Sequence, residues 1–181
     1  MPPNPLHFSA IAPLHFRLPE NFDVTALLFS STFVDLELLY YFLTEKHMSH
    51  GFWHSYFFVL TIYPVVLSLI VYVGERKLQK TISSVYGFFR FFPTKVRYSF
   101  KIIYSSCLVG GLSHIFFDMW SHENSPYVLF PFYEGNPFWI GERSIIIFVL
   151  VSLLSVCTVL LWIRQMRGHH DNSGENKGAR A

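Results

Sequence analysis

The chain is short of charge. Only 14% of its 181 residues are Asp, Glu, Lys or Arg, against about a quarter in an ordinary soluble domain. Cysteine is scarce as well: Cys107 and Cys157 both lie in apolar runs, and no CxxC pair is present. Neither a disulfide framework nor a cysteine-built zinc site is expected from this. The sequence has no Gly-rich phosphate loop, no hydrolase nucleophile elbow and no internal repeat. Its first residues, MPPNPLHFSAIAPLHF, lack a basic stretch and a small-residue cleavage site, so they do not read as a cleaved leader.

Apolar residues fill the space that charge leaves. The chain is 51% hydrophobic and 19% aromatic, with 20 Phe and 10 Tyr, more than the core of a small soluble domain hides. The cleanest apolar run is 144–163, SIIIFVLVSLLSVCTVLLWI, long enough to cross a bilayer core of about 30 Å. Residues 55–73 form another, in which Pro64 is tolerated and introduces a kink. A third runs from about Ile102 to Trp120. The first, 24–43, carries Asp35 and Glu37 inside it. The expected fold is therefore all-α: an integral membrane helical bundle of about four transmembrane helices over residues 1–167. A polar, disordered tail is expected over 168–181.

Charge sets the expected orientation. Residues 74–101 hold seven Lys or Arg against one Glu, and Arg164, Arg167, Lys177 and Arg180 follow the last span. Both segments are cytoplasmic by the positive-inside rule. The stretch 121–143 carries Glu123, Glu134 and Glu142 against Arg143 and faces outward. Both termini are then expected on the cytoplasmic side of the cell membrane. The segment 84–94, SVYGFFRFFPT, is too short to span and reads as interfacial. The basic loop suits anionic membrane lipid. A nucleic-acid partner is not expected, because its basic residues adjoin the spans.

Ionisable residues inside spans are costly and usually face a bundle interior or a wet cavity. Asp35 lies beyond the midpoint of the first span. His50 and His54, in SHGFWHS, stand at the mouth of the second. His114, Asp118 and His122, in GGLSHIFFDMWSHE, are spaced by four on the third. Residues four apart share a helix face. Singly, each has a structural explanation, such as an interfacial His or an Asp paired with a neighbouring His. Together, all six fall near one depth in a topology that was assigned from Lys and Arg alone. Imidazole and carboxylate donors suit a divalent metal: zinc first, then manganese or iron. Two ions bridged by a carboxylate would fit the donor count. Glu37, two residues on from Asp35, falls on another helix face, and Glu45 lies at the span end; neither is taken as a ligand.

These motifs resemble the predicted membrane-bound metal-dependent hydrolases, the YdjM-like group, in one of its uncharacterised branches. The matching pieces are PLHFSAIAPL, SSTFVDLELL, HGFWHS and GGLSHIFFDMWSHE, within residues 1–125. They follow an order of early His, Asp in the first span, His-x3-His-Ser and His-x3-Asp. The resemblance implies a metal site of His7, Asp35, His50, His54, His114 and Asp118. It also implies hydrolysis of a lipid-linked ester or phosphoester near the outer leaflet, with His122 or Glu123 as the general base or as a partner orienting a ligand. Val34–Asp35 stands where the group has Pro-Asp. A fainter likeness to zinc-dependent phospholipases C and related zinc nucleases also points to phosphoester chemistry. The charge pattern puts His7 on the cytoplasmic side, away from the rest. Three arrangements follow from that: an extra helix over 5–19 carries it outward, the N-terminus itself lies outside, or His7 is no ligand. Two rival functions use the same residues: haem held between His54 and His114, and an ion or proton relay.

Overall fold

The computed structural model describes residues 6–44, 50–91, 97–123 and 125–178. Among these residues the chain is all-helical, with no strand. Two short helices come first, α1 (Leu6–Ile11) and α2 (Pro13–Arg17). They are followed by α3 (Val24–Thr32), a 3₁₀ turn (Phe33–Asp35) and α4 (Leu36–Leu43). Next come α5 (Tyr56–Leu60), α6 (Ile62–Lys77) and α7 (Gln79–Phe88). The last two are α8 (Phe100–Ser121) and α9 (Ser144–Gly178).

Three helical segments are long and apolar enough to cross a membrane: Val24–Leu43, Phe100–Ser121 and Gly141–Arg167. The fourth expected span is a broken one. Its helix stops at Leu60 and restarts at Ile62. The cause is Pro64, which has no N–H to offer the Leu60 carbonyl and whose ring crowds that oxygen; it fits instead in the first turn of α6. The 16 residues of α6 rise roughly 24 Å, short of a bilayer core. Apolar side chains exposed on these helices, such as Leu69, Ile70, Ile145, Val149 and Leu153, have no protein neighbour to cover them and suit an acyl-chain solvent.

The central contact is α3 against α8, with α6 packed on the pair. Asp23 caps α3 by accepting from Thr25 N and Ala26 N, and its own N–H donates to Ser106 Oγ on α8. Higher up, Ser30 meets Gly110 and Ser31 meets His114, so α3 and α8 run parallel. The approach depends on glycine. A Cβ at Gly110 would stand 1.9 Å from Ser30 Oγ and 3.1 Å from the Leu27 carbonyl oxygen. Small residues let membrane helices close to this distance. Gly110→Ala is expected to cost at least about 1–3 kcal/mol through overpacking, seen as earlier loss of helicity in a detergent melt. Gly87→Ala, where a Cβ meets nothing within 4 Å, is the matched control. Identical melts for the two variants would refute the close contact.

The N-terminal helices bring His7 to the other candidate residues. α1 lies along α9 in the same direction. His7 is beside Asp118, Ser9 Oγ meets Ser155 Oγ at 2.5 Å, and Phe16 and Arg17 stand by Arg164. Leu6 is therefore at the Asp118 end of the bundle, while the basic residues lie at the other. Helices within 5–19 thus join His7 to the other candidate residues, against the arrangement in which His7 stands apart from them. The interfacial reading of 84–94 falls partly on α7, all of whose residues stay out of the core; residues 92–94 lie outside those described. α9 continues past its apolar run to Gly178, over residues whose composition predicts a disordered tail. Helix propagation from a long existing nucleus is easier than nucleation.

Candidate metal centre

Asp118 is the hub of the site. It follows His114 by one turn of α8, is 4% exposed, and turns its two carboxylate oxygens toward different partners. Oδ2 faces His114 Nε2 at 3.0 Å, His50 Nε2 at 3.7 Å and His54 Nε2 at 3.9 Å. Oδ1 faces His7 Nε2 at 3.2 Å and His122 Nε2 at 3.6 Å. On the far side of the first group, Asp35 Oδ1 lies 3.4 Å from His114 Nε2 and 3.5 Å from His54 Nε2. Two sets of donors result, Asp35/His54/His114/Asp118 and His50/Asp118/His122, with the donor atoms of each set within 4.8 Å of one another.

Breaks in the helices place these groups. The 3₁₀ turn at Phe33–Asp35 interrupts the first span, where the hydropathy pattern predicts a continuous helix. Ser31 Oγ and Thr32 Oγ1 both bond back to the Leu28 carbonyl, a habit of hydroxyls that bends helices. Two carbonyls at the bend then accept from neighbouring helices: Ser30 O from Tyr63 O–H at 2.6 Å and Ser31 O from His114 Nδ1–H at 2.7 Å. His50 and His54 share no α-helical face, contrary to what their spacing predicts. They are joined by a 3₁₀ turn, Phe52–His54, between extended Gly51 and Ser55. Their rings meet edge to face at 4.4 Å. His122 caps α8, and its N–H still bonds Asp118 O at 2.9 Å, so the stripe predicted on the third span holds for one more turn.

The hydrogen bonds fix which imidazole nitrogen is available. A carbonyl oxygen only accepts, so His114 Nδ1 must carry hydrogen. His54 Nδ1 likewise donates to Glu37 Oε2 at 2.9 Å. Each ring therefore presents Nε2 inward, the pattern of a ligating histidine held by an outer partner. His54 Nε2, His114 Nε2 and Asp118 Oδ1 are buried without any hydrogen-bond partner. Orphaned buried polar atoms are rare, and the two imidazole nitrogens face the same pair of carboxylates, Asp35 and Asp118. Burial, then the neighbouring His54, pushes His50 down to about 3. Burial also lowers His122. Both rings are thus held neutral, as metal ligands must be. The donor set fits a divalent ion.

Glu37 is the residue whose role its sequence position conceals. It is buried, and its carboxylate accepts from Gly51 N at 3.1 Å, Trp53 N at 3.2 Å and His54 Nδ1. Asp35 and Glu37 do face different directions, yet the folded loop brings opposite edges of one imidazole to both. The signal was the cost of a second carboxylate within a span. Glu123 lies exposed on the turn after α8 and joins neither donor set. Glu45 is outside the described residues. His15 is buried away from the site, where its Nδ1 donates to the Phe22 carbonyl. A cavity of about 40 Å³ opens beside Asp118, lined by His7, His50, His122, Leu38, Phe148 and Val151 among others, with room for a water or two.

No curated protein and no solved structure gives a significant match to this chain. A family model does match, over residues 1–177, that of a domain of unknown function (DUF4184). The four motifs that supply the candidate metal-binding residues all fall within that match, and the chain belongs to this family.

Proposed function

We propose that this chain is an integral membrane metal-dependent hydrolase, acting on a lipid-linked ester or phosphoester. The observation that carries the reading is the single Asp118 carboxylate shared by two sets of inward-facing, buried donors. Asp35, His54, His114 and Asp118 would hold one divalent ion, and His7 and His122 face the other oxygen of Asp118, with His50 beside the first. Mixed imidazole and carboxylate donors favour zinc, with manganese or iron as substitutes. A bound ion of this kind supplies Lewis acidity toward an ester or phosphoester oxygen and makes water a better nucleophile. A cavity of only about 40 Å³ suits a bare ion rather than a haem.

The chain's own residues supply the rest. His122 has the most exposed side chain of the five histidines around Asp118, at 17%, and lines the cavity. It is the group placed to take a proton from entering water. Leu38, Ile147, Phe148 and Val151 form an apolar wall that excludes bulk water and suits the chain of a lipid substrate. With the basic residues of the far end on the cytoplasmic side, the site would open toward the outer leaflet. The sequence resemblance to membrane-bound metal-dependent hydrolases points the same way.

Detergent-purified protein is expected to cleave at least one member of a panel of phosphodiester, phosphomonoester and carboxylic ester lipids. Chelation should stop the reaction, and zinc or manganese should restore it. Metal-loaded protein that turns over none of them would refute the hydrolase reading while leaving the metal centre intact.

A further inference from the structure

At the opposite end of the bundle from Asp118 lies a second cavity, much larger, of about 600 Å³. Its walls come from α2, α3, α7 and α9 and include Phe16, Leu28, Ile82, Val85, Val159 and Trp162. Of the four side-chain hydroxyls on this wall, those of Thr25, Tyr86 and Thr158 are engaged. Thr25 Oγ1 and Tyr86 O–H bond each other, and Thr158 Oγ1 donates to the Ser9 carbonyl. A space so lined does not hold water well. It also lies between two of the segments apolar enough to cross a membrane, α3 and α9.

A cleft of about 300 Å³ adjoins this cavity and shares Phe16 with it. Its lining is of another kind: Arg17 from α2, with Arg164 and Gln165 from α9. Lys77 and Lys80 flank the start of α7 nearby. An apolar chamber that opens past one aromatic ring onto two guanidinium groups matches a single molecule with an acyl chain and an anionic phosphate head. Arginine's planar donor fork suits phosphate oxygens in particular. From Val151, which lines the Asp118 cavity, to Arg164 is 13 residues of α9, roughly 20 Å along the helix. A lipid held here does not reach the metal centre.

We infer that the chain holds one anionic phospholipid at this end, its acyl chain between α2, α3, α7 and α9 and its phosphate on Arg17 and Arg164. The lipid fastens the short N-terminal helices, which carry His7, to α7 and α9. The inference does not depend on the hydrolase reading.

Trp162 lies in the cavity wall and reports on it directly. Delipidated protein in a non-ionic detergent is titrated with phosphatidylglycerol or phosphatidylcholine brominated on the acyl chains, and tryptophan quenching is followed. Phosphatidylglycerol is expected to quench at a lower mole fraction than phosphatidylcholine, by roughly a factor of five for each arginine. Arg17→Ala with Arg164→Ala should bring the two lipids together. Arg17→Lys with Arg164→Lys, which keeps the charge, should retain most of the preference. Trp162→Phe should remove the headgroup-dependent part of the quenching, leaving only that of Trp53, Trp120 and Trp139, and millimolar inorganic phosphate should leave the titration unchanged. Equal quenching by both lipids in the wild type would overturn the proposal. So would an undiminished difference between the two lipids in the Trp162→Phe protein, or displacement by free phosphate.

Discussion

Asp118→Ala is expected to abolish metal binding while leaving the helices assembled. Both donor sets depend on this one residue. Without it the first set keeps Asp35, His54 and His114, and the second keeps only histidines. Because burial holds His50 and His122 neutral, no cluster of unpaired charges forms there when the carboxylate goes. Folding should therefore survive better than metal affinity. Two measurements read the outcome together. Metal-to-protein ratio by mass spectrometry should fall from near stoichiometric to background. A thermal melt with and without chelator should separate ligand loss from misfolding, because a metal at a hundred times its dissociation constant stabilises by about 2.7 kcal/mol. Chelator should lower the wild-type melt and leave that of the variant unmoved. Asp118→Asn, which keeps the side-chain volume, should behave like the alanine variant. If either variant keeps wild-type metal content, Asp118 is not a ligand.

The parts of this site that were legible in the sequence are the local ones. Hydropathy located three crossing segments because a bilayer demands length and apolarity, which are properties of contiguous residues. The spacing of His114, Asp118 and His122 gave a shared face because α8 is regular there. What depended on interruptions was not legible in the same way. The break before Ile62 could be traced to Pro64, although the sequence alone predicted only a kink. The 3₁₀ turn at Asp35 has no proline or glycine to announce it; it exists because Tyr63 and His114, distant in sequence, accommodate the carbonyls it frees. His7 reached the site through packing of α1 on α9. The charge rule could not register that placement, since α1 contains no Lys or Arg.

Glu37→Ala should show how far the candidate metal centre depends on a residue outside both donor sets. Four donors lose their acceptor together: the backbone N–H groups of Gly51 and Trp53, Nδ1 of His54 and the Tyr41 hydroxyl. Each buried donor left unsatisfied costs about 1–3 kcal/mol, so the loop that carries His50 and His54 should loosen before the bundle does. His54 would also lose the bond that fixes its tautomer and its ring plane. Removing such an outer partner typically weakens metal affinity by about 10–100-fold. The expected result is metal bound less tightly by that factor, a lower melting temperature, and faster amide exchange at residues 50–55 than in wild type. Glu37→Gln separates the two effects. Its carbonyl oxygen still accepts one or two of the bonds, which should recover much of the stability. It accepts less strongly from His54 than a carboxylate does, so metal affinity should recover less. If Glu37→Gln restores affinity as fully as stability, the carboxylate acts on loop structure alone. If Glu37→Ala leaves both unchanged, the contact between Glu37 and His54 contributes nothing to the site, and the outward support of His54 must be sought elsewhere.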